Sequence, residues 1–192
     1  ESAWTWEKMA LTRARVISGS PEMREKVSSA IAQALCEERE PGAVARDVVD
    51  MRARIYKELG SEDLWDIKHG RGGLVDLEFI AQGLQLMHCQ HRPEVLDTGT
   101  RAALEKLVQA DVLSSSVGED LITAADKFNN LTQILRIAVQ DKFVPENAAE
   151  ALKSRLARAI DVPSFTAVER ELAEAKTVVD RAFDKLLTKV AI

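Results

Sequence analysis

A chain of 192 residues that is 46% hydrophobic and 30% charged can bury a sizeable core, as one large domain or as two small bundles. Its net charge of −5, with Lys and Arg spread along the chain, argues against a nucleic-acid partner. No apolar run of about 18 residues is present to span a membrane, and the start Glu1-Ser2-Ala3-Trp4 lacks signal-peptide features. Cys36 and Cys89 are too few and too far apart for a disulfide framework, so a reducing cytoplasm is the expected setting. A start without methionine that runs straight into a helical pattern suggests derivation from something longer.

In chain order, Trp4 to Ile17 reads as a helix with Trp6, Met9 or Ala10, Arg13, and Val16 or Ile17 on successive turns. Ser20-Pro21-Glu22 starts a second helix, with a serine N-cap and proline at the first position, running to about Glu38 through Met23, Val27, Ala30, Ile31, Ala34 and Leu35. Glu40-Pro41-Gly42 ends it. Val44, Val48, Met51, Ile55 and Leu59 then mark an amphipathic helix over 43–59, with Arg46, Asp47, Asp50, Arg52 and Arg54 expected on a solvated face and Gly60 closing it.

Residues 61–73 are expected to form a loop, with Leu64, Trp65 and Ile67 tucked inward and 64–67 able to form a short extended segment. Gly70, Gly72 and Gly73 then lead into the most apolar helix of the chain, where Leu74, Leu77, Ala81, Leu84 and Met87 make one stripe and Val75, Phe79 and Leu86 another. A helix apolar on most of its circumference belongs in the middle of a bundle. Arg92-Pro93 breaks it, and helices follow over about 97–108, Glu119 to Gln140, Pro145 to Ala159 and Ser164 to Leu187, with 113–117 a serine-rich turn. No β-hairpin signal occurs. The expected fold is all-α, a bundle of about seven helices, as one domain or as two packed sub-bundles meeting near residue 95.

The glycine collar holds the most suggestive chemistry. Lys68, His69 and Arg71 flank the free amides of a helix N-terminus, where partial positive charge and unpaired N–H groups can hold an anion; the plainer reading is a sharp turn into a buried helix. Neither the Walker nor the dinucleotide spacing fits. Asp76 and Glu78, two apart on a helix, point about 200° from each other and cannot chelate one ion together. Asp76 complements the helix dipole, and Glu78 shares a polar seam with Gln82 and Gln85. His88, Cys89 and His91 lack zinc-ligand spacing, so no metal site is expected and the histidines read as surface groups.

The segments Thr5-Trp6-Glu7-Lys8-Met9-Ala10-Leu11-Thr12-Arg13-Ala14-Arg15-Val16, Val49-Asp50-Met51-Arg52, and Asp66-Ile67-Lys68 through Gly72-Gly73-Leu74-Val75-Asp76-Leu77-Glu78-Phe79-Ile80-Ala81-Gln82 resemble bacterial glutamine synthetase adenylyltransferase. The similarity covers about the first 115 residues well and the remainder in helical character. It implies a helical domain, spanning 1–192, that follows a nucleotidyltransferase head. In that family one half attaches AMP from ATP to a tyrosine of glutamine synthetase and the other removes it by phosphorolysis. The Trp-Glu-Lys-Met-Ala-Leu wording looks more like the adenylylating C-terminal half.

The family's head carries a Gly-Ser turn and an Asp-x-Asp strand that bind Mg2+ and ATP, and this chain has no Asp-x-Asp, so it is expected to hold no catalytic residue or cofactor and to be inactive alone. Lys68, Arg71, Gly72, Gly73, Asp76 and Glu78 become candidates to line the nucleotide cleft or interface, with Trp6, Glu7, Arg13 and Arg15 as an adjoining wall. Asp76 and Glu78 would orient basic or amide groups across that interface. The implied partners are the head, glutamine synthetase and the PII signalling protein. Two alternatives stand beside this: a regulatory module that binds PII, and the related helical domain of a PII uridylyltransferase.

Overall fold

The computed structural model describes residues 4–192, and all regular structure in it is helical. Eight α-helices run as α1 (Thr5–Thr12), α2 (Pro21–Leu35), α3 (Pro41–Leu59), α4 (Leu74–His88), α5 (Thr100–Gln109), α6 (Ser115–Ala138), α7 (Glu150–Ala159) and α8 (Phe165–Phe183), one more than the rough count expected. Short 3-10 turns occupy Pro93–Val95 and Pro145–Asn147, and a π-turn over Asp184–Thr188 ends α8 where a straight helix to 187 was expected.

The apolar helix is the hub. α4 packs against α1, α3, α5, α6 and α8, and Leu77, Ile80, Ala81, Leu84 and Leu86 lie in one apolar cluster that runs from Met9 to Leu187. Gly83 lets the π-turn approach, since a Cβ there would meet Leu187 at 3.1 Å. One residue of the polar seam is engaged within the fold. Gln85 is buried, its Oε1 accepting from the Asp97 amide at 2.8 Å and its Nε2 donating to Ala81 O at 3.2 Å, so it clips the strap after α4 to the hub.

Caps account for several boundaries. Ser20 accepts from the Met23 amide at 3.3 Å and Ser164 from the Ala167 amide at 3.2 Å. Glu40 is the N-cap of α3, accepting from Gly42 N at 2.8 Å, so Glu40-Pro41 opens that helix as well as closing the segment before it. α6 begins at Ser115, inside the stretch expected as a turn, and Asp111, with a left-handed φ of 55°, sits in the short turn that separates it from the end of α5 at Gln109.

Three other expectations fail at the N-terminal end and in the loop. α1 stops at Thr12, leaving Ile17 exposed; Lys8, Met9 and Thr12 face inward in place of Trp6 and Arg13. Lys8 can be buried because its ammonium donates to Ala34 O at 2.8 Å and to Glu37 at 2.7 Å. Along α2 only Leu35 is buried, so the stripe from Met23 to Ala34 has α1 as its neighbour and otherwise faces outward. Residues 64–67 form turns, not an extended segment, closed by Asp66 N to Asp63 O at 3.1 Å.

Candidate functional site

The collar is built from three elements. α3 sends Arg52 inward, where it is 5% exposed, and its Nε and Nη2 engage both oxygens of Asp76 in the first turn of α4, the second contact at 3.1 Å. Nη2 also donates to His69 O at 2.9 Å and Gly70 O at 3.1 Å, while Asp76 Oδ2 accepts from the Gly72 amide at 2.6 Å. A buried bidentate guanidinium–carboxylate pair therefore ties helix, loop and hub together. This overturns the solvated reading of Arg52 and the interface role of Asp76, which is 4% exposed with both oxygens committed.

From the other side α8 supplies Lys176, whose ammonium donates to the carbonyls of Asp63, Leu64 and Asp66 at 3.2–3.3 Å. Burial holds its pKa below the ordinary lysine value, against the pull of Asp66, Asp63 and Asp76. Gly72 has φ +66°, and a Cβ on it would lie 1.9 Å from Lys176 O; a Cβ on Gly73 would lie 2.5 Å from Ile67 O. Both glycines are buried packing positions.

The amides at the helix entrance are already engaged. Leu74 N donates to Ile67 O at 2.8 Å, Val75 N to Lys68 O at 3.1 Å and Leu77 N to Gly73 O at 3.1 Å. The loop folds back and caps α4 with its own carbonyls, so the sharp turn into a buried helix is the structure found, and the anion cradle of free amides is not. What the collar presents outward is side chains. Lys68 and Arg71 are exposed and form no ion pair among the described residues.

Arg71 lies over the Tyr56 ring at 5.1 Å, and Arg52 lies near that ring at 5.5 Å. The Tyr56 hydroxyl donates to Glu62, and that carboxylate raises the phenol's pKa. A cavity of about 490 Å³ opens beside Arg71, with Tyr56, Asp180, Asp184 and Thr188 in its lining.

The expected wall is only partly assembled. Glu78 is half-exposed and 3.6 Å from Arg13, which also donates to Thr100 at 3.1 Å, so these two sites meet where α1 ends beside α4 and α5. Glu7 accepts from the Trp4 amide at 2.8 Å, a helix-capping contact. Trp6 is 55% exposed, and Arg15 is exposed among residues between α1 and the strap at 96–98.

Residues 49–187 match the family model described as GlnD PII-uridylyltransferase. The chain belongs to that family. Its curated relatives carry a second name: a bifunctional glutamine synthetase adenylyltransferase/adenylyl-removing enzyme of Bradyrhizobium sp. strain BTAi1 is 49% identical over 96% of this chain, and the enzyme of the same description from Xanthobacter autotrophicus strain Py2 is 42% identical over 100%. One from Rhodopseudomonas palustris strain BisB5 is 45% identical over 96%. The chain spans 19% of the length of each of these relatives.

Within the GlnD PII-uridylyltransferase match lie Arg52, which spacing placed on a solvated face, and Tyr56 and Lys176, which sequence reasoning passed over. A signal existed for the first. Val44, Val48 and Arg52 fall on one row of spacing four, and all three are buried, which places an arginine on the inward face and demands a carboxylate opposite. Lys176 gave none, since its partners are backbone carbonyls. Among the described residues no three His, Cys, Asp or Glu side chains gather as metal ligands, and Cys89 is buried, its thiol donating to Leu35 O at 3.1 Å.

Proposed function

We propose that this chain is the helical platform of a glutamine synthetase adenylyltransferase, working in the cytoplasm beside a nucleotidyltransferase head that transfers AMP from ATP to a tyrosine of glutamine synthetase. The observation that carries this reading is the clamped collar: the Arg52–Asp76 pair and the Lys176 contacts fix the loop, so Lys68 and Arg71 project from a rigid base. Arg71 lines the cavity and Lys68 is exposed on the same loop, and cations carried on a rigid base beside a cleft stabilise negative charge on a triphosphate at little reorganisation cost. When bound in the head, ATP supplies the transferred group and Mg2+ neutralises the phosphates. On this chain Lys68 and Arg71 fit the phosphate end, whereas Asp76 is committed and does not fit as a metal ligand. The near-full-length similarity to adenylyltransferases supports the assignment, and the wording of α1 supports the adenylylating half.

In the full-length parent, Lys68→Ala and Arg71→Ala are expected each to lower kcat/KM for ATP about tenfold or more, the scale of one charge-assisted hydrogen bond, with the melting midpoint unchanged. Unchanged turnover for both variants removes the cleft role. A second reading rests on the family description, which names PII: the same surface receives PII protein, and the two substitutions then alter the response to PII while leaving basal adenylylation intact.

A further inference from the structure

Beside the collar loop, where Lys142 meets Asp63 and Phe143 meets Trp65, α6, α7 and the segment between them enclose a trough of about 960 Å³, followed by a depression of about 680 Å³ that continues along α7. The floor is rigid. Phe143 is buried and meets Trp65 edge-on at 4.6 Å and Phe165 at 6.3 Å, and Trp65 stacks on Phe165 at 5.4 Å. Above that floor the apolar groups are left wet: Ile137 is 90% exposed and Val144 41%. Exposed apolar surface gathered in one concave patch marks a contact site more often than isolated exposed residues do.

The charged side chains that line the trough have one sign. Lys142, Arg155 and Arg158 line the two depressions, and no Asp or Glu does. Lys142 is paired with Asp63 at 2.9 Å, whereas Arg155 and Arg158 are exposed and form no ion pair or side-chain hydrogen bond among the described residues. On a chain whose net charge is −5, two unpaired arginines beside wet isoleucine and valine side chains form a locally inverted surface. A small anion would satisfy the arginines and leave Ile137 and Val144 in water, so the complement must be apolar and acidic together.

We propose that the α6–α7 trough is a docking groove for an acidic, amphipathic helical segment of a partner protein. Its apolar stripe rests on Ile137, Val144 and Leu152, and its carboxylates face Arg155 and Arg158. Apolar anchors at three-and-four spacing supply affinity, and the paired charges supply orientation and rate of encounter.

The test uses this 192-residue chain and a fluorescein-labelled peptide of about four helical turns, with Leu and Phe at three-and-four spacing and Glu and Asp elsewhere. Anisotropy should rise to saturation at one peptide per chain. The double variant Arg155→Glu, Arg158→Glu should weaken binding about tenfold or more and should instead take up the twin peptide with Lys in place of the acidic residues. Ile137→Asp should weaken the first peptide to a similar degree, and circular dichroism should match the parent chain, because all three positions are on the surface. The proposal is overturned if a twin with Ser replacing Leu and Phe binds as well, or if no peptide binds. It is equally overturned if a single-stranded oligonucleotide binds more tightly than the acidic peptide and is lost in the double variant, which would assign the groove to nucleic acid.

Discussion

Asp76 illustrates how much one carboxylate is asked to do. It faces a helix N-terminus, where its charge is favoured, and it accepts from both the Arg52 guanidinium and the Gly72 amide, so its removal strands a buried cation. Asp76→Asn keeps an acceptor for Gly72 but leaves Arg52 uncompensated, and the expected loss in a urea titration is about 3–5 kcal/mol. The double variant Arg52→Met, Asp76→Leu should not restore the parent value, because the carbonyls of His69 and Gly70 and the amide of Gly72 lose their partners with it. A loss below about 1 kcal/mol for Asp76→Asn would show that the clamp is not what holds the collar. At this scale the sequence is half legible. The place of Asp76 in the first turn is readable from local pattern, whereas its partner lies 24 positions away on α3 and is set by tertiary packing.

Helices are where periodicity works best, and its failures have a common cause. The stripe along α4 is buried because other helices surround it; the stripe along α2, with Met23, Val27, Ala30, Ile31 and Ala34 at equally good spacing, meets little beyond α1. Spacing shows that a face exists, and it does not show whether an element is available to cover it. An isolated helix of 15 residues is marginal in water, and α2, with only Leu35 buried, gains little from packing to hold it. Hydrogen exchange on the chain should therefore find the amides of 24–33 exchanging much faster than those of 78–87 in α4, despite equivalent hydrogen bonding. Equal protection of the two segments would mean that α2 is held by contacts other than those with α1. Helix ends were misplaced for a related reason: α1 closes at Thr12 and α6 opens at Ser115, where the contact of Arg13 with Thr100 and the left-handed turn at Asp111 leave no trace in hydrophobic spacing.

On the scale of the whole molecule, the sequence supports either one unit or two sub-bundles meeting near residue 95, and the physical difference lies in what α4 touches. It packs against α1 and α3 on one side and α5, α6 and α8 on the other, so neither half can bury its apolar face without it. The collar adds a second tie, since Arg52 on α3 and Lys176 on α8 grip the same loop from opposite sides. Separating the halves would expose Leu77, Ile80 and Leu84 and break those contacts together, at a cost comparable with the roughly 5–15 kcal/mol that holds a domain folded. Urea unfolding is therefore expected as one transition, reported alike by far-ultraviolet circular dichroism and by Trp65 fluorescence in a Trp4→Phe, Trp6→Phe background that removes the exposed tryptophans. In that background Ile80→Ala should shift both signals to lower urea by an equal amount, worth about 2–5 kcal/mol, with the slope unchanged. Two resolved transitions, or a midpoint that moves for only one probe, would mean that α4 belongs to one half and that the platform can hinge beneath its cationic face.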